Sequence, residues 1–327
     1  MIDARHQRLA DQLRSKMKSL DETLWEGRAK EAHVNRWLAQ FNSAEDLADD
    51  AELQMLFLAS NFLYFGAREI RALLRSLFRD LYQYKILEGI RKARSDTLDL
   101  AAIEGDYKGQ LKNTRFIGVG NPSESGSHML YYFRQENRLG KEYFINSHQV
   151  LSTTRFLLKH HTTRVRNPAI KHYVFIDDLC GSGSQAQDYC KSIVEPLKRL
   201  QSGVRVYYFT LFATSYGLQQ IRNLRWFDEV AAVVELDESF KCFSDKSRIY
   251  SDVVAPIDKD KARQISHRHG TKLATKFPLG WRDGQLLLGF FHNTPDNTLP
   301  IIWHDDPEGH SWTPLFRRFP KQYGWEA

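Results

Sequence analysis

The chain has few cysteines and no long apolar run, and these two absences limit the kinds of protein it can be. Three cysteines occur among 327 residues. This odd number lacks paired spacing, so neither a disulfide framework nor a zinc site is indicated. No apolar stretch reaches the roughly 18 to 20 residues that span a bilayer, and the amino terminus lacks the apolar core of a signal peptide. We therefore expect a cytoplasmic globular protein with no membrane partner.

Proline is absent from residues 2 to about 100, where Leu, Ala, Arg, Lys, Glu and Gln dominate. Since proline breaks helices and these residues favour them, we predict an all-helical amino-terminal domain over residues 1–108. Its clearest helix spans residues 67–94, with an apolar stripe at three- and four-residue steps. The opposite face carries Arg68, Arg71, Arg75 and Arg79. This domain is either a helical cap or a docking module, winged-helix-like, whose arginines suit nucleic acid or an acidic partner.

The charge is modestly basic, with 46 Lys and Arg against 40 Asp and Glu. Residues 155–171 contain no acid, and a second basic stretch covers residues 259–282. Either stretch is suited to the phosphates of a nucleic acid or nucleotide ligand, or is an ordinary solvated face.

From about residue 114 the chain changes to short apolar runs separated by turns, the pattern of an α/β domain, which we assign to residues 109–327. Val174 to Ile176 predict a buried central strand, so Asp177 and Asp178 should emerge at its carboxyl end, where such sheets bind ligands. A loop of small residues and a predicted helix follow, which together favour phosphate binding by backbone amides. The glycine loop consists of Gly181, Ser182, Gly183, Ser184 and Gln185.

Adjacent carboxylates suit a different part of a ligand. They accept hydrogen bonds from vicinal hydroxyls, or hold a cation such as Mg²⁺ through oxygen atoms. The combination predicts a site for a phosphorylated sugar, whereas the plainer interpretation is a strand-to-helix turn beside a surface acid pair.

A second loop follows the strand predicted at residues 116–119. Its glycines and small polar side chains allow backbone amides to approach a diphosphate, although a surface turn has the same composition. Its candidate contacts are Gly120, Asn121, Ser123, Ser125 and Gly126. Further along, residues 130–133 and 143–145 are predicted as a hairpin whose connection, residues 134–140, forms a mobile flap.

Near the carboxyl terminus, residues 286–291 and 299–303 are predicted as strands joined by a turn-rich loop. If these strands pair beside the Asp177 strand, the loop brings Asn293, Asp296 and Asn297 near the sugar site. Otherwise these side chains hydrogen-bond to their own backbone.

Two segments carry a family resemblance. The acid pair, the apolar pair Leu179 and Cys180 and the glycine loop resemble the type I phosphoribosyltransferase signature. Residues 284–318 are similar to the carboxyl-terminal signature of the phosphoribosyltransferase-like (PRTase-CE) effectors of bacterial conflict systems, including some retrons. The resemblance covers roughly residues 110–320 and implies a parallel-sheet, Rossmann-like phosphoribosyltransferase domain.

The resemblance also implies chemistry and biology. The glycine loop would hold a 5′-phosphate, Asp177 and Asp178 the ribose hydroxyls, and the Gly120 to Gly126 loop pyrophosphate. Arg134, in a closing flap, would be a candidate to contact the leaving pyrophosphate. The protein would be a toxin effector of antiviral defence that acts at ribose C1′, partnered by a reverse transcriptase and its RNA or DNA product. The alternatives are an inactive module that senses nucleotides or binds nucleic acid or proteins, and an assembly subunit.

Overall fold

The computed structural model describes residues 4–48, 50–120, 125–156, 160–253, 255–305 and 312–319. Contacts within the chain group it into two compact units. The terminal unit combines Met1–Ile70 with Asp237–Ala327, and the α/β unit is Arg71–Leu236. This grouping by contacts differs from the two predicted domains, residues 1–108 and 109–327. The predicted domain boundary stays a prediction.

The elements alternate between helices and short strands. The helices are α1 (Ala4–Thr23), α2 (Glu31–Leu38), α3 (Ala44–Ala48), α4 (Ala51–Ser60), α5 (Ala67–Ser76), α6 (Tyr84–Ala93), α7 (Leu100–Lys112), α8 (Ser125–Glu136), α9 (Ser184–Leu200), α10 (Ser215–Asn223), α11 (Lys259–Leu273) and α12 (Pro300–Trp303). The strands are β1 (Leu63–Phe65), β2 (Thr114–Gly118), β3 (Leu151–Phe156), β4 (His160–Val165), β5 (His172–Cys180), β6 (Arg205–Thr214), β7 (Glu229–Leu236) and β8 (Leu288–Phe290).

The centre of the α/β unit is a four-stranded parallel sheet in the order β2-β5-β6-β7. Its middle strands are buried on both faces, as the apolar runs predict, because helices cover both sides. On one face α9 and α10 pack over Phe175 of β5 and Tyr208 of β6. On the other face Phe116 of β2 meets the rings of Phe78 and Phe133, at centroid distances of 6.1 and 5.2 Å. The predicted α/β class with a parallel sheet is confirmed.

The helix predicted at residues 67–94 is present, but a π-helical segment, Leu77–Gln83, separates α5 from α6. Its arginine face is partly occupied. Arg71 and Arg75 form ion pairs with Glu136 of α8, at 3.0 and 2.5 Å. These two guanidinium groups are therefore already paired within the unit.

The predicted hairpin at residues 130–133 and 143–145 is wrong. The first of these segments lies inside α8, because Met129 and Phe133, one helical turn apart, are both buried. Residues 134–140 accordingly form the end of α8 and the turn after it, not a flap between strands. The antiparallel pair in this part of the chain is β3 with β4, where Leu151 opposes Val165.

The terminal unit is mainly helical, with a core that includes Trp25, Trp37 and Met55. It also contains a small parallel sheet in which β1 pairs with β8. Strand β1 shows that the first third is not wholly helical. The predicted strand at residues 299–303 is wrong, because this segment is the helix α12. Among the described strands β8 pairs with β1, so the condition that β8 lies beside the Asp177 strand is not met.

Candidate functional site

The carboxyl ends of β2, β5, β6 and β7 meet at one edge of the sheet because all four strands are parallel. The Val119 amide still pairs with the Ile176 carbonyl at 2.9 Å, which places the loop after β2 beside the end of β5. Helix α10 begins directly after β6, at Ser215, with Thr214 as its N-cap. Both candidate anion loops and the acid pair therefore belong to this edge, the usual ligand edge of open α/β sheets.

The glycine loop forms a tight turn into α9. Gly183 has a φ of 78°, in the left-handed region that glycine adopts without the strain a side chain adds. The hydroxyls of Ser182 and Ser184 lie 3.1 Å apart. Since α9 has 17 residues, its amino terminus places the positive end of the helix dipole at this loop.

The start of α10 supports the glycine loop. Thr214 Oγ1 donates to the Gly181 carbonyl at 2.5 Å and accepts from the Gly217 amide at 2.9 Å. A Cβ atom on Gly217 would lie 2.6 Å from the carbonyl oxygens of Cys180 and Gly181. Only glycine permits this close approach, so the loop conformation depends on the neighbouring strand-to-helix turn. Thr214 and Gly217 therefore support the glycine loop.

The two acids occupy different environments. Strand β5 continues to Cys180, so Asp177 and Asp178 lie inside the strand, near its carboxyl end. Their side chains point to opposite faces of the sheet, because successive residues of a strand alternate. Asp177 is 5% exposed. Its Oδ1 accepts from the Asp178 amide at 3.0 Å, and its Oδ2 accepts from the Tyr208 hydroxyl at 2.7 Å. Asp178 is partly exposed, and one of its oxygens accepts from the Leu179 amide at 2.9 Å.

Burial, followed by the nearby charge of Asp178, raises the pKa of Asp177 well above its usual range. The buried carboxyl therefore favours its neutral form, which is a poor cation ligand. Among the described residues no group of three His, Cys, Asp or Glu side chains is arranged to hold a metal ion. Asp177 and Asp178 thus do not fit a paired-carboxylate Mg²⁺ site. A Mg²⁺ ion held by Asp178 together with ligand oxygens remains a proposal.

The candidate pyrophosphate loop is only partly described. Gly120 has a φ of 103°, a glycine-favouring value, and α8 begins at Ser125, with Gly126 next. Asn121 and Ser123 lie outside the described residues. The described part places a left-handed glycine and a helix start on either side of the loop, the backbone features that favour an anion.

Arg134 lies in the last turn of α8, with its guanidinium carbon 5.7 Å from the centre of the Tyr131 ring. It belongs to a helix and not to a mobile connection. Its predicted contact with pyrophosphate stays a prediction.

Asn293, Asp296 and Asn297 belong to the terminal unit, where each has a local partner. Asn293 Oδ1 accepts from the Phe319 amide at 2.9 Å, and its Nδ2 donates to the Phe319 carbonyl at 3.3 Å. Asp296 pairs with Arg318 at 3.2 Å, and Asn297 donates to the Trp281 carbonyl at 3.2 Å. These contacts hold the chain together locally. Their predicted approach to the sugar site depended on β8 pairing with β5, which does not occur.

Sequence reasoning missed Tyr208. It sits in the middle of an apolar strand, is fully buried and holds Asp177. The signal was present, since a buried tyrosine needs a hydrogen-bond partner for its hydroxyl. Nothing in the sequence says which residue provides it.

The PRTase-CE family model matches residues 34–318. That range covers most of the chain, so the protein belongs to the phosphoribosyltransferase-like PRTase-CE family, and the predicted family is confirmed. Among solved structures, the AQ2163 protein from Aquifex aeolicus is 14% identical, covering 63% of this chain and 83% of that one, with a TM-score of 0.29. Comparison with curated proteins gives no match.

Among the described helices, none is long and apolar enough to cross a membrane.

Proposed function

We propose that the protein binds a phosphoribosyl ligand at the carboxyl edge of its parallel sheet and catalyses transfer or hydrolysis at ribose C1′. The observation that carries this proposal is the glycine loop, with its left-handed Gly183 at the start of α9, directly after the acid pair on β5. Membership of the PRTase-CE family supports the same ligand class.

In the proposed reaction the glycine loop amides hold the 5′-phosphate and Asp178 accepts hydrogen bonds from the ribose hydroxyls. The loop that begins at Gly120 receives the diphosphate. The bond between C1′ and the diphosphate oxygen breaks, and the leaving group takes the electron pair. An acceptor or water then forms the new bond to C1′ and gives up its proton to solvent. Positioned amides stabilise the departing anion, so no covalent nucleophile is needed.

We further propose that this chemistry serves as the toxic activity of an antiviral effector, with a reverse transcriptase and its nucleic-acid product as partners. The support is the likeness of residues 284–318 to effectors of conflict systems. The second candidate is a sensor that binds the nucleotide without turnover. It is favoured by the burial of Asp177, which leaves the site with a single partly exposed acid.

Calorimetric titration with ribose 5-phosphate and with phosphoribosyl diphosphate tests the site. Asp178→Asn should lower the affinity for both ligands by about 10- to 100-fold, because a charged hydrogen bond contributes roughly 1.5 to 3 kcal/mol to binding. Asp188→Asn, an exposed acid on α9, is the matched control and should bind as the native protein does.

Absence of binding by the native protein would refute the phosphoribosyl proposal. Release of diphosphate from phosphoribosyl diphosphate, measured in the same samples, separates the two candidates. Turnover supports the enzyme, and tight binding without turnover supports the sensor.

A further inference from the structure

The second basic stretch of the sequence contains cations of two kinds. Arg268 of α11 forms an ion pair with the buried Asp46 at 2.5 Å, so its guanidinium helps to hold the terminal unit together. Lys276 and Arg282, which follow the end of α11, are exposed, and no ion pair among the described residues includes either of them. The end of the stretch therefore carries positive charge that these residues do not neutralise.

Two aromatic rings lie between these two cations in the sequence. The rings of Phe277 and Trp281 are in contact, with centroids 4.3 Å apart, and Lys276 Nζ lies 5.5 Å from the centre of the Phe277 ring. Trp281 is 36% exposed, whereas tryptophan is on average a highly buried residue. Arg282 follows it directly. We call residues 276–282 the aromatic-basic loop.

The aromatic-basic loop is held in a strained conformation. Arg282 and the next residue, Asp283, have φ values of 52° and 58°, in the left-handed region where a side chain adds strain. The Trp281 amide donates to the Asp296 carbonyl at 2.7 Å, and Asn297 Nδ2 donates to the Trp281 carbonyl at 3.2 Å. These contacts fix the backbone of Trp281. Strained residues that the surrounding structure holds in place cluster at ligand contacts.

We propose that the aromatic-basic loop binds single-stranded nucleic acid, with an unpaired base stacked on Trp281 and with phosphates contacted by Lys276 and Arg282. The adjacent acid does not oppose this assignment, because Asp283 Oδ2 accepts a hydrogen bond from Gln285 Nε2 at 2.9 Å and is not paired with Arg282. The loop lies in the terminal unit, and its binding does not depend on the phosphoribosyl ligand.

The rings decide which polyanion the loop fits. Exposed cations attract the phosphates of any nucleic acid and the carboxylates of an acidic protein alike. An exposed indole adds stacking on a base, which an acidic peptide cannot offer and which a duplex withholds, since its bases already stack on one another. The loop would also receive the nucleic-acid partner suggested above, a statement that rests on the proposed function.

Fluorescence anisotropy of a labelled oligothymidylate of about 15 nucleotides measures this binding to the full chain. Trp281→Ala should lower the affinity about tenfold because the base loses its stacking partner, whereas Trp281→Phe keeps a ring and should bind within about threefold of the native protein. Tyr84→Ala is the matched control. It removes a ring that is 63% exposed on α6 of the α/β unit, and should bind as the native protein does.

Lys276→Gln and Arg282→Gln test the charges. Each should reduce the slope of log affinity against log salt concentration by about 0.7, since one phosphate contact is lost. Lys108→Gln is the control for charge. It removes a lysine that is already paired with Glu104 at 2.6 Å, and should leave the slope unchanged.

A duplex of the same length should bind at least about tenfold more weakly than the single strand. Equal affinity of the native protein and Trp281→Ala for the single strand would overturn the proposal, as would equal affinity for strand and duplex. Tighter binding of polyglutamate than of the oligonucleotide would point to an acidic protein instead and would also overturn it, and so would no binding of the oligonucleotide. Failure of the ribose 5-phosphate titration refutes the proposed function and leaves this surface unaffected.

Discussion

Asp177 and Asp178 are neighbours on one strand, but their carboxyl groups differ in burial and therefore in how readily they carry a charge. The pleat sends one into the core beneath α9 and leaves the other partly exposed. A sequence motif of two acids suggests two equivalent ligands. The fold makes the pair unequal, because burial penalises the charged form of one member alone.

His172, at the start of β5, is a half-buried titratable group. Burial, with a smaller contribution from Arg205, lowers its pKa to about 4. The folded protein therefore keeps this imidazole neutral, while the unfolded chain takes up a proton below about pH 6.5. The stability that His172 supports is present above that pH and is lost as the pH falls toward 4, by roughly 2 to 3 kcal/mol at most.

His172→Gln should remove this contribution. Urea unfolding at pH 7 and at pH 4.5 should show a smaller acid-induced loss of unfolding free energy in the variant than in the native protein. An unchanged difference between the two pH values would show that His172 is protonated at the same pH in both states.

At the scale of elements, the glycine loop depends on its backbone conformation and on the space around it. Gly183 and Gly203 both have a left-handed φ, of 78° and 76°. A Cβ on Gly183 would meet Ile221 at 3.2 Å and the Gly217 carbonyl at 3.3 Å, whereas a Cβ on Gly203 meets nothing within 4 Å. The two positions therefore share the backbone cost of a side chain and differ in crowding.

Gly183→Ala and Gly203→Ala should each cost about 1 kcal/mol of unfolding free energy, measured in urea, because alanine is strained at positive φ. Only Gly183→Ala should also lower the affinity for ribose 5-phosphate, by about tenfold, because the added Cβ displaces the loop. Equal binding by both variants would contradict the proposed role of the loop.

The elements differ in how well the sequence predicts them. Strands β2, β5, β6 and β7 follow from apolar runs, and α9 follows from its loop and its periodicity. Helix α8 is not predicted, because its Leu-Tyr-Tyr-Phe run favours strands, although the four-residue spacing of Met129 and Phe133 indicates a helix. Strands β3 and β4 carry Thr, Arg and Ser on pleats that lack apolar alternation, so no strand pattern marks them.

The residues of the site also differ in how well the sequence predicts them. The acid pair and the glycine loop are contiguous in sequence, so their motif locates them together. Tyr208 lies 31 residues from Asp177, and pairing at that separation depends on the register between β5 and β6. Contacts of this kind follow from the folded sheet and not from any local pattern.

At the scale of the whole molecule, the terminal unit depends on contacts between the two ends of the chain. Trp37 of α2 is fully buried and its Nε1 donates to the Ile301 carbonyl of α12 at 2.7 Å, across 264 residues. Trp37→Ala should cost about 3 to 5 kcal/mol of unfolding free energy, because it opens a large cavity and leaves that carbonyl with one donor fewer.

Trp281→Ala makes the same substitution at a side chain that is 36% exposed, and should cost less than half as much. Urea unfolding followed by circular dichroism compares the two variants. Equal losses would show that the Trp37 contacts do not hold the two ends of the chain together.

The pairing of β1 with β8 has a consequence for synthesis on the ribosome. Leu63 cannot meet its partner Leu288 until Leu288 has been translated. By then all four strands of the larger parallel sheet, which end at Leu236, have been translated. The α/β unit can therefore fold while the chain is still growing, whereas the first 70 residues must wait with part of their apolar surface uncovered, a window in which a chaperone would find its binding site.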